Sequence, residues 1–154
     1  MFKVNEEAPV IARGEIEINA DPETIWNVIT DIEGWPDWNP DVKNASLEGN
    51  VAKGSKFRWK ASSVTITSIF QKVDKPRFLG WTGKTMGIEA LHTWKFEPKN
   101  GKTLAKTEES WEGPLTHVMK SRTQHMLQKS IDSALQYLKK EAERISRSNS
   151  LSNL

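Results

Sequence analysis

The sequence predicts an α+β protein in which a meander of antiparallel strands is followed by one long helix. Apolar and polar residues alternate with a period near two across residues 42–112, a pattern typical of half-buried strands. Residues 116–145 contain no Gly or Pro and repeat their apolar residues at helical spacing. Asn100-Gly101 is the pair that a two-residue type I′ turn prefers, and it marks a hairpin within the meander.

Length and composition indicate one ordinary globular domain. The chain of 154 residues suits a single domain, which we predict to span residues 1–146. The Ser- and Asn-rich residues 147–154 are predicted to form a flexible C-terminal tail. Lys and Arg number 22 against 20 Asp and Glu, and both signs are dispersed along the chain. We therefore expect no nucleic-acid partner.

The sequence also lacks the patterns of a disulfide-rich, secreted or membrane-spanning protein. It has no Cys, so we expect neither a disulfide framework nor a thiol nucleophile. Its first residues lack the basic start and apolar run of a signal peptide. No apolar stretch approaches the roughly 20 residues that a membrane-spanning helix needs. We expect a cytoplasmic protein without membrane insertion, and no oligomeric state is predicted.

The predicted elements follow one another in a simple order. Residues 12–18 alternate as a strand with one buried face. Asp21 is a good N-cap and Pro22 fits the first position of a helix, after which residues 33–38 form a short helical turn. The remaining strands are predicted at 42–48, 55–60, 63–73, 77–83, 88–97 and 103–112.

The helix predicted over 116–145 carries an apolar stripe whose two halves differ. The stripe comprises Met119, Thr123, Met126, Leu127, Ser130, Ile131, Ala134, Leu138, Ala142 and Ile145. The second half has the composition of a tightly packed core. The first half contains small side chains and flexible Met side chains, so we predict a cavity beneath it.

The segment GWPDWNP at residues 34–40 places two large rings on an irregular connector. Its two prolines prevent a regular helix or a central strand. We interpret Trp35 and Trp38 as anchors that hold this connector on the core, and the alternative is that either ring forms a wall of the cavity.

Several spaced motifs resemble the START/Bet v 1-like (SRPBCC) superfamily, specifically its polyketide cyclase/dehydrase and lipid-transport branch. They are ADPETIWNVITDIEGWPDWNPDV at 20–42, GSKFRW at 54–59, HTWKFEP at 92–98 and TEESWEGPL at 107–115. The resemblance implies a helix-grip fold: a seven-stranded antiparallel sheet wrapped around the C-terminal helix, with two short helices after the first strand. It also implies a hydrophobic ligand in a cavity between sheet and helix, and in some members cyclisation or dehydration of that ligand.

Hairpin geometry predicts which side chains meet on the buried face of the sheet. If Asn100-Gly101 is the turn, counting back along both strands places His92 opposite Glu109, on the face that also carries Trp94. This pair is the strongest candidate for proton transfer, because a carboxylate and an imidazole shift each other's pKa. The alternative is a structural ion pair or hydrogen bond without a catalytic role.

The predicted ligand-contacting residues are large apolar side chains of the buried face, a loop residue, and the first half of the helix stripe. They are Phe57, Trp59, Ile66, Trp81, Met86, Trp94, Trp111, Met119, Thr123 and Met126. An Ala61-Ser62 turn would place Phe57 opposite Ile66. Met86 belongs to the loop GKTMG, which either rims the cavity mouth or is an ordinary hairpin loop. The alternative for the tryptophans is that they fill the interior.

Three functions are compatible with these patterns. The first is binding of a hydrophobic or amphipathic small molecule such as a lipid, polyketide or aromatic metabolite. The second is a cyclase or dehydratase that uses His92 and Glu109, and the third is a protein-interaction module of the co-chaperone type with a filled interior. No cofactor is predicted, and no metal site, because His117 and His125 lie about 12 Å apart along one helix.

Overall fold

Residues 2–152, which the computed structural model describes, form seven strands and four α-helices. The strands are β1 (Val10–Ile18), β2 (Val42–Leu47), β3 (Lys56–Ala61), β4 (Val64–Asp74), β5 (Phe78–Thr85), β6 (Ile88–Lys99) and β7 (Lys102–Glu112). The helices are α1 (Pro22–Thr30), α2 (Trp35–Trp38), α3 (Pro114–Val118) and α4 (Lys120–Ser152), with a 3₁₀ turn at Ile32–Gly34. All strands pair antiparallel in the order β1-β7-β6-β5-β4-β3-β2. The predicted helix-grip architecture is confirmed.

The start of α1 forms as its sequence predicts. The Asp21 carboxylate accepts a hydrogen bond of 2.8 Å from the backbone N–H of Thr24, and Pro22 occupies the first turn. This cap satisfies one of the backbone donors that every helix leaves free at its N-terminus. The helix then buries Ile25, Trp26 and Ile29 in the core.

Helix α4 lies along the edge strand β1 and caps its free edge. The side chain of Gln124 donates to the carbonyl of Ile11 at 2.7 Å and accepts from the N–H of the same residue at 3.1 Å. Lys139 donates to the carbonyl of Glu17 at 2.8 Å. These bonds satisfy backbone groups that an unprotected edge strand would offer to another chain. The core lies between the sheet, α1, α2 and the face of α4 that carries Leu127, Ile131, Leu135, Leu138 and Ala142.

The C-terminal helix differs from its prediction in continuity and length. It is broken at Met119, whose φ of −129° and ψ of 51° are not helical, so α3 and α4 are separate helices. The backbone N–H of Leu115 bonds the carbonyl of Gly87 at 3.4 Å, which ties α3 to the β5–β6 hairpin rather than to the axis of α4. Helix α4 continues to Ser152, beyond the predicted end at 145. Residues 153 and 154 of the predicted tail lie outside the described residues.

Two predicted hairpin registers had different outcomes. The Asn100-Gly101 register is confirmed, with Lys99 paired to Lys102 and His92 paired to Glu109. The Ala61-Ser62 turn was wrong, because Ala61 pairs with Val64 and the turn is at Ser62-Ser63. Ser62 adopts a φ of 55°, which is rare for a non-glycine residue. The local sequence does not predict it. The error is two residues, so every side chain stays on its predicted face.

Candidate functional site

The concave face of the sheet brings the two predicted proton-transfer residues into one row. The row runs from Glu109 on β7 through His92 on β6 and Trp81 on β5 to Phe70 on β4. Nδ1 of His92 lies 3.2 Å from Oε1 of Glu109, and the two side chains are only 10% and 14% exposed. The imidazole ring centroid lies 4.8 Å from that of Trp81. An apolar wall therefore flanks the pair, and water reaches it only in part.

A third side chain, Thr107, joins the pair to the backbone. Its hydroxyl lies 2.8 Å from Nε2 of His92 and 2.9 Å from the carbonyl oxygen of Thr93. A hydroxyl has one proton to donate. If Thr107 donates to the carbonyl, Nε2 must carry a proton and donate to Thr107. If Thr107 donates to Nε2, two oxygen lone pairs face each other across 2.9 Å.

The protonated imidazole satisfies all three contacts beside an ionised Glu109. It donates from Nε2 to Thr107 and from Nδ1 to Glu109, which leaves the Thr107 proton for the carbonyl of Thr93. A neutral imidazole with its proton on Nε2 keeps the bond to Thr107, and it keeps the contact with Glu109 when that carboxyl carries the other proton. A proton can therefore move between Nδ1 of His92 and Oε1 of Glu109 without changing the hydrogen bonds of Thr107.

Burial opposes this protonation. Desolvation lowers the pKa of His92 from its ordinary value of 6.5, and the charge of Glu109 acts in the opposite direction more weakly. The unfolded chain therefore binds a proton at a higher pH than the folded chain does. It follows that the contribution of neutral His92 to the free energy of unfolding is fully present above about pH 6.5 and is lost as the pH falls toward the pKa of His92 in the folded protein.

We expect the replacement His92→Gln to remove this part of the pH dependence, because glutamine does not titrate. Between pH 7.5 and pH 5 the wild-type protein should lose up to about 1.4 kcal/mol more unfolding free energy than the variant for each unit of pKa lowering. Urea denaturation at a series of pH values measures this difference. His117→Gln, which changes an exposed histidine, is the control and should keep the wild-type profile. Parallel profiles for wild type and His92→Gln would contradict the assignment.

The deep part of the concave face is filled by aromatic rings. Phe57, Trp81 and Trp94 of the predicted ligand set are at most 3% exposed. Trp35, which arrives from α2, packs on them with ring centroids 5.6 Å from Phe57 and 5.8 Å from Trp81. Its Nε1 donates to the carbonyl of Ile29 at 2.9 Å. The sequence indicated Trp35 as an anchor of its segment on the core, with a cavity wall as the alternative, and did not place it among the predicted ligand-contacting residues.

The other end of the concave face, toward the β5–β6 hairpin, is more open. Trp59, Ile66 and Trp111 are half-buried there. Nε1 of Trp59 donates to the hydroxyl of Ser68 at 3.1 Å, and Nε1 of Trp111 donates to Glu109 at 2.6 Å. Because their polar atoms are already paired, both rings offer apolar surface without an unsatisfied donor.

Between these two tryptophans lies a row of small side chains. Ala90 on β6 pairs with Trp111 on one side and with Gly83 on the other, and Gly83 pairs with Ser68 on β4. Ser68 in turn carries the Trp59 hydrogen bond. We call this feature the trough: its floor is Ala90, Gly83 and Ser68, and its walls are Trp59 and Trp111.

The predicted helix and loop residues lie around this open end, not in the deep interior. Thr123 is buried, and its hydroxyl donates to the carbonyl of Met119 at 2.7 Å. Met119 and Met126 are 41% and 54% exposed, and Met86 at the tip of the β5–β6 hairpin is 91% exposed. The structure therefore places Trp59, Ile66 and Trp111 on the same face of the sheet, with only Trp59 and Ile66 paired, and leaves the three methionines exposed.

Two surface cavities of the described residues lie elsewhere. One of about 200 Å³ is between α1, α2 and the end of α4, where the half-buried Trp38 forms part of its wall. The other, of about 300 Å³, is lined by Lys72, Arg77, Phe78 and neighbouring residues near the β4–β5 turn. Neither is lined by a predicted ligand residue. Within residues 2–152 no three carboxylate, imidazole or thiol groups converge as a metal site would require, and no helix combines the length and apolarity of a bilayer span.

Solved structures of other proteins share this fold. A protein from Thermus thermophilus superposes with a TM-score of 0.78 at 19% identity over 88% of this chain and 99% of its own. A START superfamily protein from Mycobacterium smegmatis gives 0.76 at 16% identity over 88% and 98% of the two chains. The ZhuI aromatase/cyclase from a Streptomyces species gives 0.73 at 15% identity over 87% and 93%. Among curated proteins, no sequence relative of the chain is found.

Residues 9–143 match the family described as polyketide cyclase/dehydrase and lipid transport. The match spans the sheet, α1, α2, α3 and most of α4, and so includes every predicted site residue. The chain therefore belongs to the polyketide cyclase/dehydrase and lipid-transport family.

Proposed function

We propose that the protein binds an apolar or amphipathic small molecule in the trough. The observation that carries the proposal is the row Ala90, Gly83 and Ser68 between two half-buried tryptophans. Ser68 and Gly83 are buried, and Cγ2 of Ile66 lies 3.3 Å from the Cβ position of Gly83, so the half-buried Ala90 is the open part of this floor. A flat or chain-like apolar molecule would enter there, beside Trp111.

The chemistry of the trough favours an apolar ligand with few polar groups. Trp59, Trp111 and Ile66 supply the contact area, and each ring can contribute about 0.5–1.5 kcal/mol through aromatic packing beyond its buried area. The polar groups at the floor and the adjoining row are the Ser68 hydroxyl, Glu109 and His92. A ligand with one or two oxygen atoms could pair with them. The family description names polyketide and lipid substrates, and both classes have this character.

Filling the trough should weaken binding. Ala90→Phe would place a ring on the floor, where Ala90 is half-buried on the concave face. We expect its affinity for Nile red or a long-chain fatty acid to fall at least about tenfold, because the probe loses apolar contact area. Tryptophan fluorescence during titration measures the affinity.

The neighbouring residue offers a matched control. Leu91→Phe puts the same ring on the convex face of the same strand and should keep the wild-type affinity. Equal affinities for wild type and Ala90→Phe would contradict the trough as the binding site. No saturable response in the wild-type protein would contradict small-molecule binding altogether.

A second candidate function, a cyclase or dehydratase, is favoured by the contact between His92 and Glu109. Ring closure of a poly-β-ketone needs a base to remove a proton from the carbon between two carbonyls, and loss of water needs an acid to protonate the departing oxygen. The pair lies one row from the trough floor and can exchange a proton through Nδ1 and Oε1. His92→Ala and Glu109→Gln should then abolish conversion of a synthetic poly-β-keto thioester while probe affinity stays within about twofold. Unchanged conversion would exclude the pair as the acid and base.

A further inference from the structure

One end of the molecule carries an exposed apolar surface, which we call the apolar rim. It consists of Met86, Leu115, Val118, Met119 and Met126, which are 91%, 44%, 78%, 41% and 54% exposed. Exposing large apolar side chains to water is unfavourable, and a group of them usually marks an interaction site.

The rim is continuous because α3 is held against the β5–β6 hairpin. The N–H of Leu115 bonds the carbonyl of Gly87, the residue after Met86. Gly113 also approaches Gly87 so closely that a Cβ on it would lie 3.1 Å from the carbonyl carbon of Gly87. The hairpin tip and the α3–α4 segment therefore form one surface at the open end of the concave face.

Basic residues predominate in the segment that carries most of the rim. Residues 113–131 contain no Asp or Glu, although the chain has 20 acidic residues in all. Within the described part of the chain, Lys120, Arg122 and Lys129 of this segment form no ion pair. Of the nearest acids, Glu89 pairs with Lys84 and Glu112 accepts a hydrogen bond from Asn5. His117 and His125 are exposed in the same segment.

Charge and apolar surface lie on the same face of α4. Arg122, Met126 and Lys129 have the spacing i, i+4, i+7 and project on one side of the helix. Gln124 and Gln128, which bond the backbone of β1, lie roughly on the opposite side. This face is therefore turned away from the sheet edge and is free to meet a partner.

We propose that this end of the protein docks on an anionic lipid bilayer. Single apolar side chains at a hairpin tip and a helix start can enter the headgroup region, and the flanking cations attract anionic lipids. A docked protein needs no membrane-spanning helix. Docking would turn the mouth of the trough toward the bilayer, but it does not depend on the proposed ligand, since vesicle binding is measured without one.

Vesicle sedimentation tests the electrostatic part. The wild-type protein should bind phosphatidylcholine vesicles that contain phosphatidylserine, should bind pure phosphatidylcholine vesicles at least about tenfold more weakly, and should lose affinity as salt is raised. Lys120→Glu/Arg122→Glu should weaken binding by at least about 25-fold, since each basic residue contributes roughly fivefold. Lys102→Glu/Lys140→Glu makes the same change in net charge away from the rim, and it should bind within about twofold of wild type.

A second pair of variants tests the apolar contribution to vesicle binding. Met86→Ser/Val118→Ser should weaken binding roughly tenfold, because two apolar side chains no longer enter the interface. Leu151→Ser changes an equally exposed side chain at the far end of α4 and should have no effect. All four altered positions of the test variants are exposed, and circular dichroism checks their folding. Absence of binding to both vesicle types, or equal losses in test and control variants, would overturn the proposal. The first result would favour a protein as the partner of the rim.

Discussion

Trp35→Ala should lower the free energy of unfolding by about 3–5 kcal/mol, the largest effect that we expect from a single side chain in this protein. Trp35 is 6% exposed, and its ring packs edge-on against Phe57 and Trp59 with centroids 5.6 and 5.5 Å apart. Its Nε1 also donates to the carbonyl of Ile29. The substitution removes all these contacts at once and leaves a cavity that rigid neighbouring rings cannot close.

Chemical denaturation of two further variants separates the causes. Trp38→Ala changes the other tryptophan of the same segment, which is half-buried beside a surface cleft, and it should cost about 1–2 kcal/mol. Trp35→Phe keeps a ring but loses the hydrogen bond to Ile29. Its loss of unfolding free energy should therefore lie between those of Trp38→Ala and Trp35→Ala. A loss in Trp35→Ala no greater than that in Trp38→Ala would show that Trp35 does not hold α2 on the sheet.

Gly113→Ala should cost about 2–5 kcal/mol, because it combines backbone strain with a clash that no side chain can relieve. Gly113 has a φ of 120°, a conformation that L-residues avoid. A methyl group there would overlap the backbone carbonyl group of Gly87. Since the neighbouring bond from Leu115 to Gly87 holds α3, the variant should also displace the apolar rim and weaken vesicle binding.

Gly101→Ala gives the cost of a positive φ where no clash occurs. Gly101 has a φ of 80°, but nothing lies within 4 Å of its Cβ position. It should therefore lose only about 1 kcal/mol, the cost of the backbone conformation. Urea denaturation of both variants gives the difference. Equal losses would mean that the contact between Gly113 and Gly87 is not close in solution.

Local patterns were enough for the order and the faces of the elements. The alternation at residues 12–18 predicted β1, the period near two along residues 42–112 predicted β2 to β7, and Asn100-Gly101 alone predicted that His92 faces Glu109. The Ser62-Ser63 turn was missed because serine has no strong preference for a positive φ, so the register at β3–β4 was two residues out. The helix stripe included Ser130, which is exposed, and omitted Leu135, which is 3% exposed. Side-chain type alone does not reveal where a helix meets its neighbours.

The sequence by itself therefore determined the fold class, the sheet faces and the juxtaposition of His92 and Glu109, since these follow from periodicity and turn chemistry within a few residues. Only the tertiary structure decided that Thr107 ties His92 to the backbone, that Trp35 fills the deep interior, and that the methionines lie at the rim. Those outcomes depend on which distant segments pack together, and packing is governed by the shape of the whole core, which no local repeat encodes.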